Sequence, residues 1–129
     1  MFGPPGHAYV YLIYGMYHMM NVVTWPQGRP GAVLVRGIEP VHGIERTTDG
    51  PGKLTQAMGI DRSLDGVDLL GERLFLHEGL QYDDTQICRG PRIGVDYAGE
   101  WAHKPWRFFV KGCRHVSRPR TVSETVGLD

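Results

Sequence analysis

The run Y-V-Y-L-I-Y-G-M-Y-H-M-M-N at residues 9–21 constrains the fold more than any other stretch. Tyr9, Tyr11 and Ile13 fall on one face of an extended chain and Val10, Leu12 and Tyr14 on the other, so the run is compatible with a strand as far as Tyr14. Gly15 then permits a bulge or a reversal. Residues 17–25 read as the return strand, P-Q-G-R-P-G at 26–31 as a turn, and A-V-L-V-R-G-I at 32–38 as a third strand, which together predict a β-meander. Two uses of the aromatic rings are open. They can fill a core, or Tyr14, placed just before the bend, can point outward at a hairpin tip and wedge between stacked bases. Arg36 poses a similar choice, because Ala32, Leu34, Arg36 and Ile38 share one face of the third strand and a lone cation on an apolar face needs a partner. That partner is either an internal counter-charge or an anionic ligand or catalytic water.

Further along, V-H-G-I-E-R after Pro40 predicts a short helix, and a second helix is expected to begin near Lys53. The glycines before Lys53 suit a helix N-terminus open to an anion, but Thr47 and Leu54 break the pattern of a nucleotide-binding P-loop. Asp61, Ser63, Asp65, Gly66 and Glu72 match the spacing of a calcium loop, yet Gly59 interrupts the incoming helix and Asp68 stands where an apolar residue belongs. No metal site is expected, and the segment reads as a helix entry capped by Asp65 or Ser63. Strands are predicted at E-R-L-F-L-H-E (72–78), at P-R-I-G-V-D-Y-A-G (91–99) and in W-R-F-F-V-K-G, the last with Trp106, Phe108 and Val110 inward and Arg107, Phe109 and Lys111 outward. No acidic residue occurs from His103 to Ser123, where Lys104, Arg107, Lys111, Arg114, Arg118 and Arg120 form a basic stripe suited to phosphates or to a solvated tail.

The 129 residues suit one domain, and 14 basic against 14 acidic residues leave no net charge, so any attraction to an anionic partner must be local. Cys88 and Cys113 stand alone, which fits reduced structural thiols. No apolar run approaches the roughly 20 residues that span a bilayer, and the expected location is cytoplasmic, at the nucleoid in a bacterium, with no membrane partner.

Four ordered blocks carry a resemblance. Y-V-Y-L-I-Y-G-M-Y-x-x-M-N, V-L-V-R-G-I-E-P, G-P-G-K-L-T-Q-A and R-I-G-V-x-Y-A-G-E-W-A-x-K-P-W-R-F resemble the alkyladenine (3-methyladenine) DNA glycosylase family from Met1 to about Val116. The resemblance implies an α+β domain whose curved, mainly antiparallel sheet presents a protruding hairpin to the minor groove, with a few short helices. It also implies base-excision repair, in which an alkylated or deaminated purine is flipped out of double-stranded DNA and its N-glycosidic bond hydrolysed to leave an abasic site. Tyr14 resembles the wedge that fills the gap left by the flipped nucleotide. Tyr11 resembles a wall of the base pocket, with Leu34 among its substrate contacts, and Asn21 resembles the residue that obstructs the exocyclic amine of guanine. Arg36 resembles the arginine that holds the nucleophilic water and the target phosphate, and the backbone carbonyl of Ile93 a further ligand of that water. Met16, Tyr17 and Lys53 resemble DNA contacts, to which the basic strand adds Arg107 and Lys111. Such chemistry calls for no cofactor, metal or Schiff-base lysine, and no oligomer is implied.

Members of that family carry the water-activating glutamate, and the aromatic and histidine that stack on the flipped base, upstream of the block with which this chain starts. The expectation is therefore a domain portion over residues 1–116 lacking its N-terminal part and its general base, impaired in cleavage on its own, followed by a disordered tail at 117–129. A binder of damaged or distorted DNA that does not cleave is the alternative.

Overall fold

The computed structural model describes residues 2–125. The chain forms two compact units, Met1–Glu78 and Gly79–Asp129. Each contains a three-stranded antiparallel sheet, and the helices are few and short, so the α+β class holds with the strands divided between two sheets.

In the first unit β1 (Ala8–Ile13) pairs with β2 (Tyr17–Val23), and β2 with β3 (Ala32–Leu34). The register Tyr11↔Met19 and Ile13↔Tyr17 closes a tight hairpin at residues 14–16. One sheet face is the core: Ala8, Val10 and Met20 pack with Ile60 and Leu69, and Val10 and Leu69 are each only 1% exposed. Each such side chain contributes about 1.5–3 kcal/mol on burial. The outer edge of β1 is satisfied by the loop at 65–67. Ala8 N–H donates to the Val67 carbonyl, and Val10 N–H to the Asp65 carboxylate at 2.9 Å.

The helix α1 (Pro51–Met58) includes Lys53, as expected; its proline occupies the first turn and Gly59 closes it in the left-handed region at φ 69°. Asp61 rather than Asp65 or Ser63 caps the short 3-10 turn Arg62–Leu64, accepting from Ser63 N–H. The Ser63 hydroxyl and amide hold the exposed Asp61 carboxyl below its ordinary pKa. Three predicted elements are absent. Residues 41–46 are not helical, because Gly43 takes a φ of 75°. Residues 72–78 alternate in polarity but form no ladder. Residues 91–95 are irregular, with Gly94 at φ 74°, and lead into the 3-10 segment Asp96–His103 instead of continuing a strand.

In the second unit β4 (Ile87–Gly90) lies between β5 (Arg107–Val110) and β6 (Glu124–Thr125). The expected facing of β5 is reversed: Arg107 is 5% exposed while Phe108 is 59% exposed. The cause lies opposite Arg107, where Gly90 has no side chain and the chain near Thr121 packs so closely that a Cβ on Gly90 would collide with the Thr121 carbonyl oxygen. The Arg107 guanidinium donates to two carbonyls of that segment, those of Ser117 and Pro119. Residues 117–125, expected to begin a disordered tail, are thus held by Arg107, by Ser123 N–H on the Arg89 carbonyl and by β6. The rest of that expected tail, residues 126–129, lies outside the described residues. Cys88 is buried, and both cysteines are free thiols.

Candidate nucleic-acid interface

The hairpin turn carries an unusual conformation. Tyr14 and Gly15 have φ of 55° and 66°, and Met16 N–H closes onto the Ile13 carbonyl at 3.2 Å. Positive φ at both central positions is the habit of Asn-Gly turns, which match the twist of paired strands. A tyrosine in the left-handed region costs on the order of 1–2 kcal/mol relative to a right-handed conformation. Its ring gains nothing from burial to offset this, being 84% exposed, and Met16 beside it is 63% exposed. A strained backbone that presents an apolar ring to solvent is the kind of outlier that points to function.

Behind the tip, the register places the other candidates on one face. Directly opposed residues share a face of an antiparallel pair, so Tyr9↔Asn21, Tyr11↔Met19 and Asn21↔Leu34 bring Tyr9, Tyr11, Met19, Asn21 and Leu34 together on the side away from the apolar core. The Tyr9 and Tyr11 rings lie 5.3 Å apart, tilted by 37°. Asn21 is 6% exposed, and its amide nitrogen donates to the Tyr9 carbonyl at 3.2 Å, which fixes the carboxamide in the floor between the tyrosines and Leu34. The sequence offered the alternation that groups Tyr9 with Tyr11. Met19 carried no signal of its own, and only the cross-strand register brings it and the two tyrosines together with Asn21 and Leu34.

Arg36 lies two residues beyond β3 and is half-buried. Its Nε is sealed from solvent without a hydrogen-bond partner, and the described residues give it no ion pair. Burial lowers its pKa, while guanidinium remains charged at neutral pH. The internal counter-charge considered above is therefore not present among the described residues.

The helix α1 is seated against β2. Thr55, 1% exposed, donates its hydroxyl to the His18 carbonyl at 2.8 Å. A Cβ on Gly52 would come within 2.9 Å of Tyr17 Cδ1, so the glycine provides the seat for that ring. Lys53 projects from the first turn and pairs with Asp49 at 3.3 Å, an exposed i,i+4 contact.

The remaining candidates belong to the second unit. Ile93 lies half-buried between Arg92 and Gly94. Lys111 is exposed just after β5. Arg107, predicted as a DNA contact, is instead turned inward onto the Ser117 and Pro119 carbonyls, a structural fastening that leaves its guanidinium buried.

Comparison with known proteins bears on most of the chain. Residues 1–114 match the profile of the methylpurine-DNA glycosylase family. A protein of Anaeromyxobacter dehalogenans named "Putative 3-methyladenine DNA glycosylase" is 53% identical over 92% of this chain and 58% of its own length. Relatives with the same name from Myxococcus xanthus and Bacillus thuringiensis are 51% and 46% identical, again over 92% of this chain and over 62% and 68% of their own lengths. The chain thus spans about three fifths of the length of the first two relatives.

Proposed function

The chain belongs to the methylpurine-DNA glycosylase family, and on that premise we propose that it engages duplex DNA from the minor-groove side as part of a base-excision repair glycosylase. The observation that carries this reading is the hairpin tip, where Tyr14 is held in the left-handed region and 84% exposed. Extruding a base costs a few kcal/mol of stacking and pairing, and an inserted ring offsets part of that cost. The extruded purine is received on the face built from Tyr9, Tyr11, Asn21 and Leu34. There the aromatic rings stack on the base, and the fixed carboxamide of Asn21 opposes a guanine amine. A purine that is alkylated and cationic, or weakly paired, flips more easily and leaves more readily, which is how lesion preference arises.

Arg36 supplies the charge that the target nucleotide requires. A half-buried guanidinium whose sealed Nε has no partner among the described residues is poised for a phosphate oxygen, and it would also orient water close to the sugar. Met16, Tyr17 and Lys53 flank the tip as backbone contacts. Cleavage builds oxocarbenium-like charge on the sugar, which a carboxylate that also activates water stabilises. Glu39, Glu45 and Glu100 are exposed and occupy positions with no such role in the family, so this chain by itself is impaired in cleavage while retaining the DNA-engaging hairpin.

Two measurements test the reading. In equilibrium binding to duplexes with and without hypoxanthine, Tyr14→Ala is expected to reduce the lesion preference roughly tenfold, the worth of one stacked ring. An unchanged preference would remove the wedge assignment. In single-turnover base release from 3-methyladenine or hypoxanthine duplexes the chain is expected to show little product. Release at the rate of a catalytic relative would mean that a carboxylate of this chain activates water.

A further inference from the structure

The basic stripe divides into two sets in the folded second unit. Arg107 and Arg120 spend their guanidinium groups on the chain itself: Arg107 on the Ser117 and Pro119 carbonyls, Arg120 on the Val116 and Arg114 carbonyls at 2.8 and 3.1 Å. Lys104 lies over the Trp101 ring at 5.4 Å. Lys111, Arg114 and Arg118 are exposed and, among the described residues, have no side-chain hydrogen bond or ion pair. The backbone that carries them is fastened at several points, since Lys111 N–H donates to the Gln86 carbonyl and Cys113 N–H to the Val110 carbonyl, in addition to the arginine contacts.

Charge bookkeeping gives this loop its importance. All 14 acidic residues lie outside residues 103–123, where only eight basic residues accompany them. The remainder of the chain is therefore net negative and repels a polyanion, and a local cationic surface has to overcome that repulsion. We infer that Lys111, Arg114 and Arg118 form a phosphate-binding surface that grips duplex DNA irrespective of sequence or damage. The loop is ordered before DNA arrives, because the buried Arg107 and the exposed Arg120 both bond its carbonyls. Binding then costs little ordering entropy, and each phosphate neutralised releases counterions. This role passes from Arg107, which is spent internally, to Arg114 and Arg118. The inference rests on the proposed DNA reading and adds a contact that does not depend on the wedge.

The test is the salt dependence of affinity of the full chain for an undamaged duplex and for one containing hypoxanthine. The combined Lys111→Ala, Arg114→Ala and Arg118→Ala variant is expected to show a log–log salt slope shallower by about 2 to 3, near 0.9 per lost phosphate contact. The loss should be equal on both duplexes. The charge-keeping combination Lys111→Arg, Arg114→Lys and Arg118→Lys should retain the native slope, and each single alanine variant should lower it by about 1. An unchanged slope in the triple variant, or a loss confined to damaged DNA, overturns the inference, as does a native chain that binds no duplex at low salt. Tyr14→Ala separates this from the wedge reading: it should lower lesion preference and leave the slope intact. An unaltered preference with the slope effect of the triple variant retained overturns the wedge alone.

Discussion

Arg36 and Arg107 are both withdrawn from water, yet their thermodynamic positions are opposite. The Arg36 guanidinium has a sealed Nε with no acceptor among the described residues, whereas Arg107 satisfies two loop carbonyls. A buried polar group without a partner costs stability, and removing a donor from buried acceptors costs it too. Arg36→Met is therefore expected to keep or slightly raise the unfolding free energy, and Arg107→Met to lower it by about 2–3 kcal/mol, with the Ser117 and Pro119 carbonyls left unpaired. Chemical denaturation of the two variants decides it, and equal losses would mean that Arg36 has a structural partner after all. Tyr14 follows the same logic. Asparagine tolerates the left-handed region, so Tyr14→Asn should stabilise the hairpin by about 0.5–1 kcal/mol while lowering lesion preference as much as Tyr14→Ala does. A variant less stable than the native chain would show that the ring itself supports the fold.

At the level of elements, the residues that form the candidate interface were the most legible. The alternation at 9–14, the glycine at 15 and the turn chemistry at 26–31 yield β1, β2 and β3 in order, and Pro51 and Gly59 bracket α1. What escaped was set by contacts that alternation does not encode. Ile93, Val95 and Tyr97 alternate well, but the left-handed Gly94 redirects the chain between them. The face of β5 depended on Gly90, whose missing side chain admits the segment near Thr121 and so draws Arg107 inward. Gly90→Ala should accordingly overpack this site and destabilise the second unit by about 1–3 kcal/mol. The loss of β6 pairing would appear as faster amide exchange at Ser123, and exchange as slow as in the native chain would contradict the packing described. Asn21 and Leu34 could be nominated only by resemblance, because their meeting depends on a register between strands that neither residue announces.

Across the whole chain, the boundary between the two units at Glu78 and Gly79 falls in residues 77–83, which are exposed and carry no regular secondary structure. Such segments open at little cost and are the preferred sites of nicking. Limited proteolysis is expected to cut there first and release fragments near residues 1–78 and 79–129; first cuts inside β1–β3 or α1 would contradict that order of stability. The three tryptophans are distributed to advantage. Trp25 belongs to the first unit, under Arg29 at 4.9 Å, while Trp101 and Trp106 lie 5.3 Å apart in the second, with Arg92 over Trp106 at 5.1 Å. Two indoles this close share their electronic excitation, so the paired rings imprint a dichroic couplet that the isolated Trp25 lacks. The molecule thereby carries its own optical label for each unit: loss of the couplet marks melting of the second, and with Trp101 and Trp106 replaced by phenylalanine, the emission of Trp25 follows the first.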